Sequence, residues 1–455
     1  MGWKSYRDQW ISEAAANYAA VLFARNRLKL AGHRGPTAGW QGALTRTTDD
    51  GRALESIGPL VLGQRLLSTR GGGSYEPIVY RKGAVVLDML ARHWGEERFL
   101  ELLRQIVQAA GFRPISTEDF LALVERITGH DMDPFARQFI YGTGLPEVYY
   151  TYSFEERPGG GWTVAGRAWQ QTPYRFRYRV SEGPGGHLDV VRETVDQMEV
   201  GASSLVVPVY IAYYDPAQDE AGRRRKGADP KEVGNAMLRG HTLLSGPETA
   251  FSFEIEERPT EVWFDRDDEV FGRFFNERRH PKRILYYQGL DHDAAGRAEA
   301  AEEAYRKALE APTFAGADFD REVDPKGLEE QGRILDRRIH RSLARLCLRS
   351  GRDAEAEAHL ERGERLAKKD DPWWLEEDLR VLRSRLALRR GDPREAYDLL
   401  RKKLLRDRIY DTEGLAVLAI AARAVGDEEE YEAAREDLEG TGVDLSRLTA
   451  SAPSS

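Results

Sequence analysis

The pattern of apolar and polar residues changes twice along the 455-residue chain. Up to residue 146, apolar positions recur at the spacing of helices that are buried on one face. From residue 147 to residue 275, short runs alternate between apolar and polar residues, with Gly- and Pro-containing turns between them. From residue 280 to residue 446 the helical spacing returns. These changes predict an α+β multidomain protein with a helical region at each end.

The N-terminal region, residues 1–146, contains several predicted helices. Two of these helices carry candidate chemistry, and they are predicted at residues 6–30 and Tyr80–Trp94. Further along, Ser116 precedes an acidic first turn and is predicted to cap a helix at Thr117–Thr128. Asp133 is predicted to cap the next helix, with Pro134 at its first position.

The middle region, residues 147–275, is predicted to form an antiparallel β-sandwich. Its short runs are rich in β-branched and aromatic residues, and several of them alternate strictly. The predicted strands are residues 148–154, 161–165, 175–180, 205–214, 250–256 and 261–264.

The last region, residues 280–446, repeats an apolar helix, a glycine turn and a second helix with alanine at a packing position. The turn glycines Gly351, Gly391 and Gly426 are 40 and 35 residues apart, close to the period of about 34 residues of tetratricopeptide repeats. Tyr286–Pro312 has the same form. The region resembles a degenerate tetratricopeptide array. Two interpretations stay open, a surface for a protein partner and a helical cap on an enzyme. The tail, 447–455, is predicted to be disordered.

Composition excludes some classes of function. The net charge of −9 and the sequence pI near 5.7 give no general attraction to nucleic acid or to anionic membranes. No apolar run is long enough to span a bilayer. The only cysteine, Cys347, excludes an intrachain disulfide. The cellular location is not readable from the chain.

Two short motifs carry the candidate chemistry. The first is Trp10-Ile11-Ser12-Glu13, which leads into the first predicted helix. The second is Tyr80-Arg81-Lys82-Gly83-Ala84, which opens another helix. Their order and separation resemble two motifs of the M1 (gluzincin) zinc aminopeptidases. The pattern that ends at Gly144-Leu145-Pro146 also resembles the end of that catalytic domain, which has a thermolysin-like fold.

The resemblance implies roles for two residues. Glu13 corresponds to the acidic zinc ligand, and Tyr80 to the phenol that donates to the oxyanion of the tetrahedral intermediate. The cofactor implied is Zn, and the substrate class is peptides. Without the resemblance, Glu13 is a solvated helix carboxylate and Tyr80 a core aromatic. The family's Gly-Phe-Ala after the glutamate is Ala14-Ala15-Ala16 here, which changes the floor of the predicted pocket.

The motif that supplies the remaining zinc ligands, His-Glu-x-x-His, does not occur in the sequence. By the resemblance it would lie upstream of Met1. The chain is therefore predicted to be the C-terminal part of an M1-like metallopeptidase, inactive alone. The alternative is a non-enzymatic scaffold derived from such a protein, which presents its tetratricopeptide-like helices to a protein partner. His130 is predicted to be a helix-entry residue, not a metal ligand.

Overall fold

A computed structural model shows how the chain folds. It describes residues 2–28, 38–45, 54–68, 73–111, 113–171, 175–182, 188–195, 205–215, 235–266, 269–315, 325–369, 371, 373–407, 412–439 and 443. The chain forms two compact units, Met1–Thr172 with Glu199–Arg279 and Pro173–Met198 with His280–Ser455. The predicted domain boundaries follow the sequence pattern, whereas the two units follow packing. They differ at Pro173–Met198, which the sequence pattern places in the middle region and packing places in the second unit. The predicted disordered tail, 447–455, lies outside the described residues.

The first unit contains six described α-helices, which are α1 (Gln9–Leu28), α2 (Ala38–Thr45), α3 (Gly83–Trp94), α4 (Glu96–Ala110), α5 (Thr117–Thr128) and α6 (Asp133–Phe139). Short 3₁₀ segments occur at Tyr6–Asp8, Leu54–Ile57 and Leu60–Ser68, and a π-helical segment at Glu76–Lys82. Ser116 caps α5 as predicted, because its hydroxyl accepts from the Asp119 amide while Asp119 accepts in return. The predicted cap of α6 is wrong by one residue, since Met132 holds that position and Asp133 is already helical.

Seven described strands also belong to the first unit, namely β1 (Glu147–Glu156), β2 (Trp162–Gln171), β5 (Leu205–Tyr214), β6 (Asn235–Leu244), β7 (Glu248–Ile255), β8 (Pro259–Phe264) and β9 (Arg273–Asn276). They form a four-stranded sheet in the order β7-β2-β1-β9 and a three-stranded sheet in the order β6-β5-β8. Strand β9 runs parallel to β1, so the prediction of purely antiparallel pairing is wrong. The strand before β9 in the chain is β8, which belongs to the three-stranded sheet. The chain therefore crosses over to reach β1, and a crossover connection permits parallel pairing whereas a hairpin does not.

Tyr150 of β1 ties the two sheets together. Its ring stacks on Phe264 of β8 with centroids 4.1 Å apart. Its hydroxyl donates to the carbonyl of Val262 at 3.2 Å and accepts from the amide of Phe264 at 3.1 Å. The same buried side chain therefore supplies both apolar contact and hydrogen bonds across the sheets. The apolar core continues from these sheets into the helices of the first unit.

The second unit contains eight described helices and a β-hairpin. The helices are α7 (Pro281–Ala294), α8 (Ala298–Glu310), α9 (Pro325–Arg349), α10 (Asp353–Arg365), α11 (Trp373–Arg389), α12 (Pro393–Asp407), α13 (Thr412–Val425) and α14 (Glu428–Leu438), and the hairpin strands are β3 (Arg175–Glu182) and β4 (Leu188–Val195). Each pair α7–α8, α9–α10, α11–α12 and α13–α14 packs together. Among the described residues, no helix of either unit is long and apolar enough to cross a membrane.

The four helix pairs share one turn geometry. The glycines Gly296, Gly351, Gly391 and Gly426 have φ between 72° and 79°, a conformation that favours glycine. In every turn the amide after the glycine donates to the carbonyl four residues before that glycine, at 2.8–3.0 Å. These bonds are Arg297 to His292, Arg352 to Cys347, Asp392 to Ala387 and Asp427 to Ala422. This is the Schellman closure of a helix C-terminus, and it recurs at the glycines that the sequence pattern singled out.

The stability of the second unit should fall as the pH falls from 6.5 towards 4. His340 is 7% exposed, its Nδ1 lies 3.1 Å from Nδ1 of His359, and burial and the second imidazole lower its pKa to about 4. Arg362, Arg365 and Lys282 also disfavour its charged form, while Glu302 and Glu355 face His359. The unfolded chain therefore binds more protons in this window, so that stability rises with pH. The full shift corresponds to at most about 3 kcal/mol, and solvent screening leaves about 1–2 kcal/mol.

Urea unfolding at pH 7 and at pH 4.5, followed by circular dichroism, tests this dependence. The matched variant is His340→Gln, which keeps a hydrogen-bonding group of similar size but does not titrate. We expect this variant to lose less stability than the parent between the two pH values. Equal losses in both proteins would contradict the assignment to His340.

Candidate active site

The start of helix α1 is held against the start of α5 by a buried polar network. The carboxylate of Asp8 accepts from the amide and the hydroxyl of Thr117, at 2.7 Å and 3.0 Å. The same hydroxyl accepts from the indole Nε1 of Trp10 at 3.1 Å. On the other side, Asp8 accepts from the amide of Ser5 at 2.9 Å. Because buried polar groups are costly to leave unpaired, this network fixes the position of Glu13 one turn further along α1.

Helix α3 approaches α1 closely just beyond Glu13. A Cβ atom added at Gly83 would lie 2.8 Å from the Cβ of Ala14, which is shorter than real contacts of this kind. Gly83 has ordinary helical dihedrals, so it is needed here for its small size. The contact brings the turn that contains Tyr80 next to Glu13.

Tyr80 lies in the π-helical segment Glu76–Lys82, and both Glu13 and Tyr75 lie close enough to its hydroxyl to affect its pKa. The Tyr75 and Tyr80 rings meet edge to face with centroids 5.8 Å apart. The structure therefore brings together Glu13 and Tyr80, which are 67 residues apart in sequence.

The protonated form of Tyr80 is strongly favoured. Burial, followed by the neighbouring carboxylate of Glu13, raises the pKa of Tyr80 to about 12. Burial also raises the pKa of Tyr75. A phenol with this pKa stays a hydrogen-bond donor throughout the physiological range of pH.

A buried ion pair anchors the segment that contains Tyr80. Lys82, which is 0% exposed, donates to Oε1 of Glu55 at 2.5 Å and to the carbonyl of Gly142 at 3.2 Å. The other oxygen of Glu55 accepts from the amide of Gly144 at 2.7 Å. Burial lowers the pKa of Lys82, and the charge of Glu55 opposes that effect. The pair thus joins the π-helical segment to the end of the helical region.

Sequence reasoning missed Tyr75 and Glu55. Tyr75 precedes Tyr80 by five residues, the spacing of a π-helical hydrogen bond, but nothing in the local pattern announces a π-helical segment. Glu55 lies in a short 3₁₀ segment and meets Lys82 only through the tertiary fold. The one available signal was Lys82 itself, a lysine in an otherwise apolar stretch, since a buried lysine requires a partner.

Glu13 alone does not make a zinc site. Tight zinc sites use three or four protein ligands, mostly His and Cys, and within the described residues none of these joins Glu13. The one described group of three potential ligands is Glu125, Asp131 and Asp133, all exposed. Asp131 and Glu125 already accept from backbone amides, and Asp133 pairs with Arg137. His130 lies at the entry to α6, as predicted, with Nδ1 3.1 Å from the Thr128 carbonyl oxygen.

Comparison with known proteins gives a weak likeness. No family model matches the chain. Over 141 residues the chain is 26% identical to aminopeptidase N from Haemophilus influenzae, which covers 31% of this chain and 13% of that protein. A crystal structure of Legionella pneumophila aminopeptidase A in complex with aspartic acid is 16% identical, with a TM-score of 0.38. It covers 96% of this chain, which spans 48% of that structure.

The structural likeness is too low to assign a fold, so the sequence match is the stronger of the two. It covers about a third of the chain and a much smaller part of its relative. It agrees with the resemblance that Glu13 and Tyr80 carry. The findings support an aminopeptidase-like relationship for this chain.

Proposed function

We propose that the protein is an M1-like metallopeptidase that hydrolyses peptides. The observation that carries the proposal is the close approach of helices α1 and α3 at Ala14 and Gly83, which sets Tyr80 so near Glu13 that the carboxylate helps to raise the pKa of Tyr80. The two side chains that correspond to the family's acidic ligand and its phenol donor come from separate helical segments and meet at one point. The sequence match to an aminopeptidase supports the same function.

Each of the two residues has a defined task in this proposal. The Glu13 carboxylate would hold a zinc ion together with ligands from outside residues 1–455. Zinc, when bound, supplies a Lewis acid and an activated water. The Tyr80 hydroxyl would donate a hydrogen bond to the oxygen of the scissile carbonyl as negative charge develops there. The raised pKa of Tyr80 keeps this donor protonated, and Tyr75 holds its ring edge to face.

The finer architecture belongs to the same proposal. We propose that the helices of the first unit correspond to the C-terminal half of a thermolysin-like catalytic domain, followed by a β-sandwich built on Tyr150. The stacking of Tyr150 on Phe264 supports the sandwich. The recurring glycine turns of the second unit support a tetratricopeptide-like array. The sequence match to an aminopeptidase does not favour the alternative of a non-enzymatic scaffold.

The in-frame codons upstream of Met1 give the first test. A His-Glu-x-x-His motif a few residues upstream would supply the missing ligands, and intact mass of the native protein would show whether it is translated. Absence of the motif from the native protein would refute the zinc peptidase.

Metal content of the longest native protein gives the second test. We expect about one zinc per chain, lost in the Glu13→Gln variant because a carboxamide is a poor zinc ligand. The matched control is Glu125→Gln, which alters the exposed acidic group. Loss of zinc from the control but not from Glu13→Gln would place the metal at the acidic group instead.

The closeness of α1 and α3 predicts the effect of enlarging Gly83. In Gly83→Ala, overpacking against Ala14 should destabilise the first unit by about 1–3 kcal/mol. The higher helix propensity of alanine should offset up to about 1 kcal/mol of that loss. The control is Gly42→Ala in α2, where an added Cβ meets nothing within 4 Å, and it should be neutral or stabilising. Thermal unfolding of both variants gives the comparison, and a Gly83→Ala change that is no more destabilising than Gly42→Ala would contradict the close contact.

A further inference from the structure

The hairpin of β3 and β4 belongs to the helical unit, although it lies in sequence between two strands of the first unit. The chain passes from Thr172 into the second unit and returns at Glu199. Within the hairpin, Val180 pairs with Val190 and Tyr178 with Arg192 in antiparallel register. Strand β4 contacts helices α11 and α13, and β3 contacts α13.

The apolar side chains of the hairpin are part of the core of the helices. Val190 is 0% exposed and Val180 is 3% exposed. Both belong to one buried cluster with residues of α11 and α13, including Leu388 and Leu415, and Tyr178 packs against its edge. A two-stranded hairpin is at best marginally stable in water by itself. The helices therefore supply the apolar surface on which this one is held.

The polar side of β4 is covered as well. Successive side chains of a strand point to opposite faces, so Asp189 lies on the other face from Val190. Its carboxylate accepts from Nε and Nη2 of Arg385 at 2.9 Å and 3.1 Å. Arg385 in turn donates to Glu413 of α13 at 2.9 Å. All three of these charged side chains are buried. A second contact joins Arg192 to Asp293 of α7 at 3.0 Å.

The buried arginine makes the contact selective. Fork-shaped pairing of an arginine with a carboxylate requires both distance and orientation, and removal of one partner of a buried pair is costly. If the hairpin were absent, Arg385 would keep Glu413 but lose Asp189. A strand that kept a valine at position 190 but had no acidic residue at position 189 would make the apolar contact. It would not supply the second carboxylate to Arg385.

We propose that the face formed by helices α11 and α13 is a recognition surface for a β-hairpin with a valine and an adjacent carboxylate, and that its occupant is the chain's own pair of strands, β3 (Arg175–Glu182) and β4 (Leu188–Val195). The C-terminal helices act as a receptor for a segment inserted in the β-rich region. The occupied face is closed to other partners in the folded protein. The proposal is independent of the peptidase function.

Binding of the excised hairpin tests the proposal. The probe is a fluorescent synthetic peptide of residues 175–195, and the receptor is the full chain with Val180→Asp and Val190→Asp, which should release the internal hairpin. We expect saturable binding to this variant by fluorescence anisotropy, at least tenfold weaker binding or none to the parent chain, and retained helical circular dichroism. A peptide with Asp189→Asn should bind at least tenfold more weakly. The control peptide Glu193→Gln, changed at an exposed position on the same strand, should bind like the original.

Three outcomes would overturn the proposal. The first is equal binding of the peptide to the parent and to the released variant. The second is no binding to a released variant that keeps its helices. The third is an equal loss of affinity in the Asp189→Asn and Glu193→Gln peptides.

If the released variant does not fold, single changes in the intact chain replace it. Asp189→Asn should increase trypsin cleavage after Arg179 and Arg192, as identified by mass spectrometry, because Arg385 keeps Glu413 but loses the Asp189 carboxylate. Glu193→Gln on the same strand is the matched control and should leave this cleavage unchanged. Equal cleavage of the two variants, with helices intact, would equally refute the proposal.

Discussion

Replacing Lys82 with methionine is expected to destabilise the first unit by about 3–5 kcal/mol, the cost of breaking a buried ion pair from one side. Lys82 is fully buried and bonds to Glu55 and to the carbonyl of Gly142. Methionine fills most of the volume but cannot donate to either oxygen. Urea unfolding of the parent and the variant, analysed for the midpoint and the slope, measures the difference.

Two matched variants separate burial from charge. Lys307→Met removes a lysine from an exposed pair with Glu303, where the nitrogen and oxygen lie 2.7 Å apart, and should cost less than about 0.5 kcal/mol. The double variant Glu55→Gln with Lys82→Met removes both buried charges and should recover part of the loss. If Lys82→Met costs no more than Lys307→Met, the pair does not anchor the segment.

The anchor matters to the candidate site because Lys82 is two residues from Tyr80 in the same π-helical segment. The bonds of Lys82 and Glu55 to Gly142 and Gly144 hold this segment against the end of the helical region. Loss of the pair should therefore loosen the position of the Tyr80 ring. Catalytic groups need such support from neighbouring residues to keep their geometry.

Replacing Tyr80 with phenylalanine should lower kcat of the longest native protein by about 10²–10³-fold, if the proposed peptidase function holds. This is the typical effect of removing one donor to an oxyanion. The ring of phenylalanine preserves packing against Tyr75, so KM should change little. Initial rates on a series of short peptides give the measurement. Because the pKa of Tyr80 is about 12, ionisation of this group should not limit the rate below about pH 11.

Tyr18→Phe is the matched control for this experiment. Tyr18 lies on the same helix as Glu13 and is buried, and its hydroxyl has no hydrogen-bond partner among the described residues. Removal of that hydroxyl should leave kcat within about twofold of the parent, since no bond is lost. Equal activity of Tyr80→Phe and the parent would remove Tyr80 from the mechanism, and loss of activity in Tyr18→Phe would indicate a structural cause.

Much of the local structure of this protein follows from short stretches of its sequence. The capping box at Ser116 and Asp119 needs only residues that are three positions apart, and the alternation of arginines with apolar residues from Arg175 to Val180 in β3 is typical of the two faces of a strand. The glycine turns after α7, α9, α11 and α13 also follow local chain geometry. Strands β4, β6 and β9 were missed because their patterns are weaker, and β9 is only four residues long.

The tertiary structure decided what could not be read locally. Glu13 and Tyr80 were selected by resemblance to a family, but their proximity depends on the close approach of Gly83 to Ala14. Glu55 and Asp189 gave no signal in the sequence, and each becomes the partner of a buried cation through a contact distant in sequence. Sequence alone determined where helices and many strands form, because those preferences act over a few residues. Only folding decided which charges meet, because the cost of burying a charge depends on the partner that the rest of the chain brings to it.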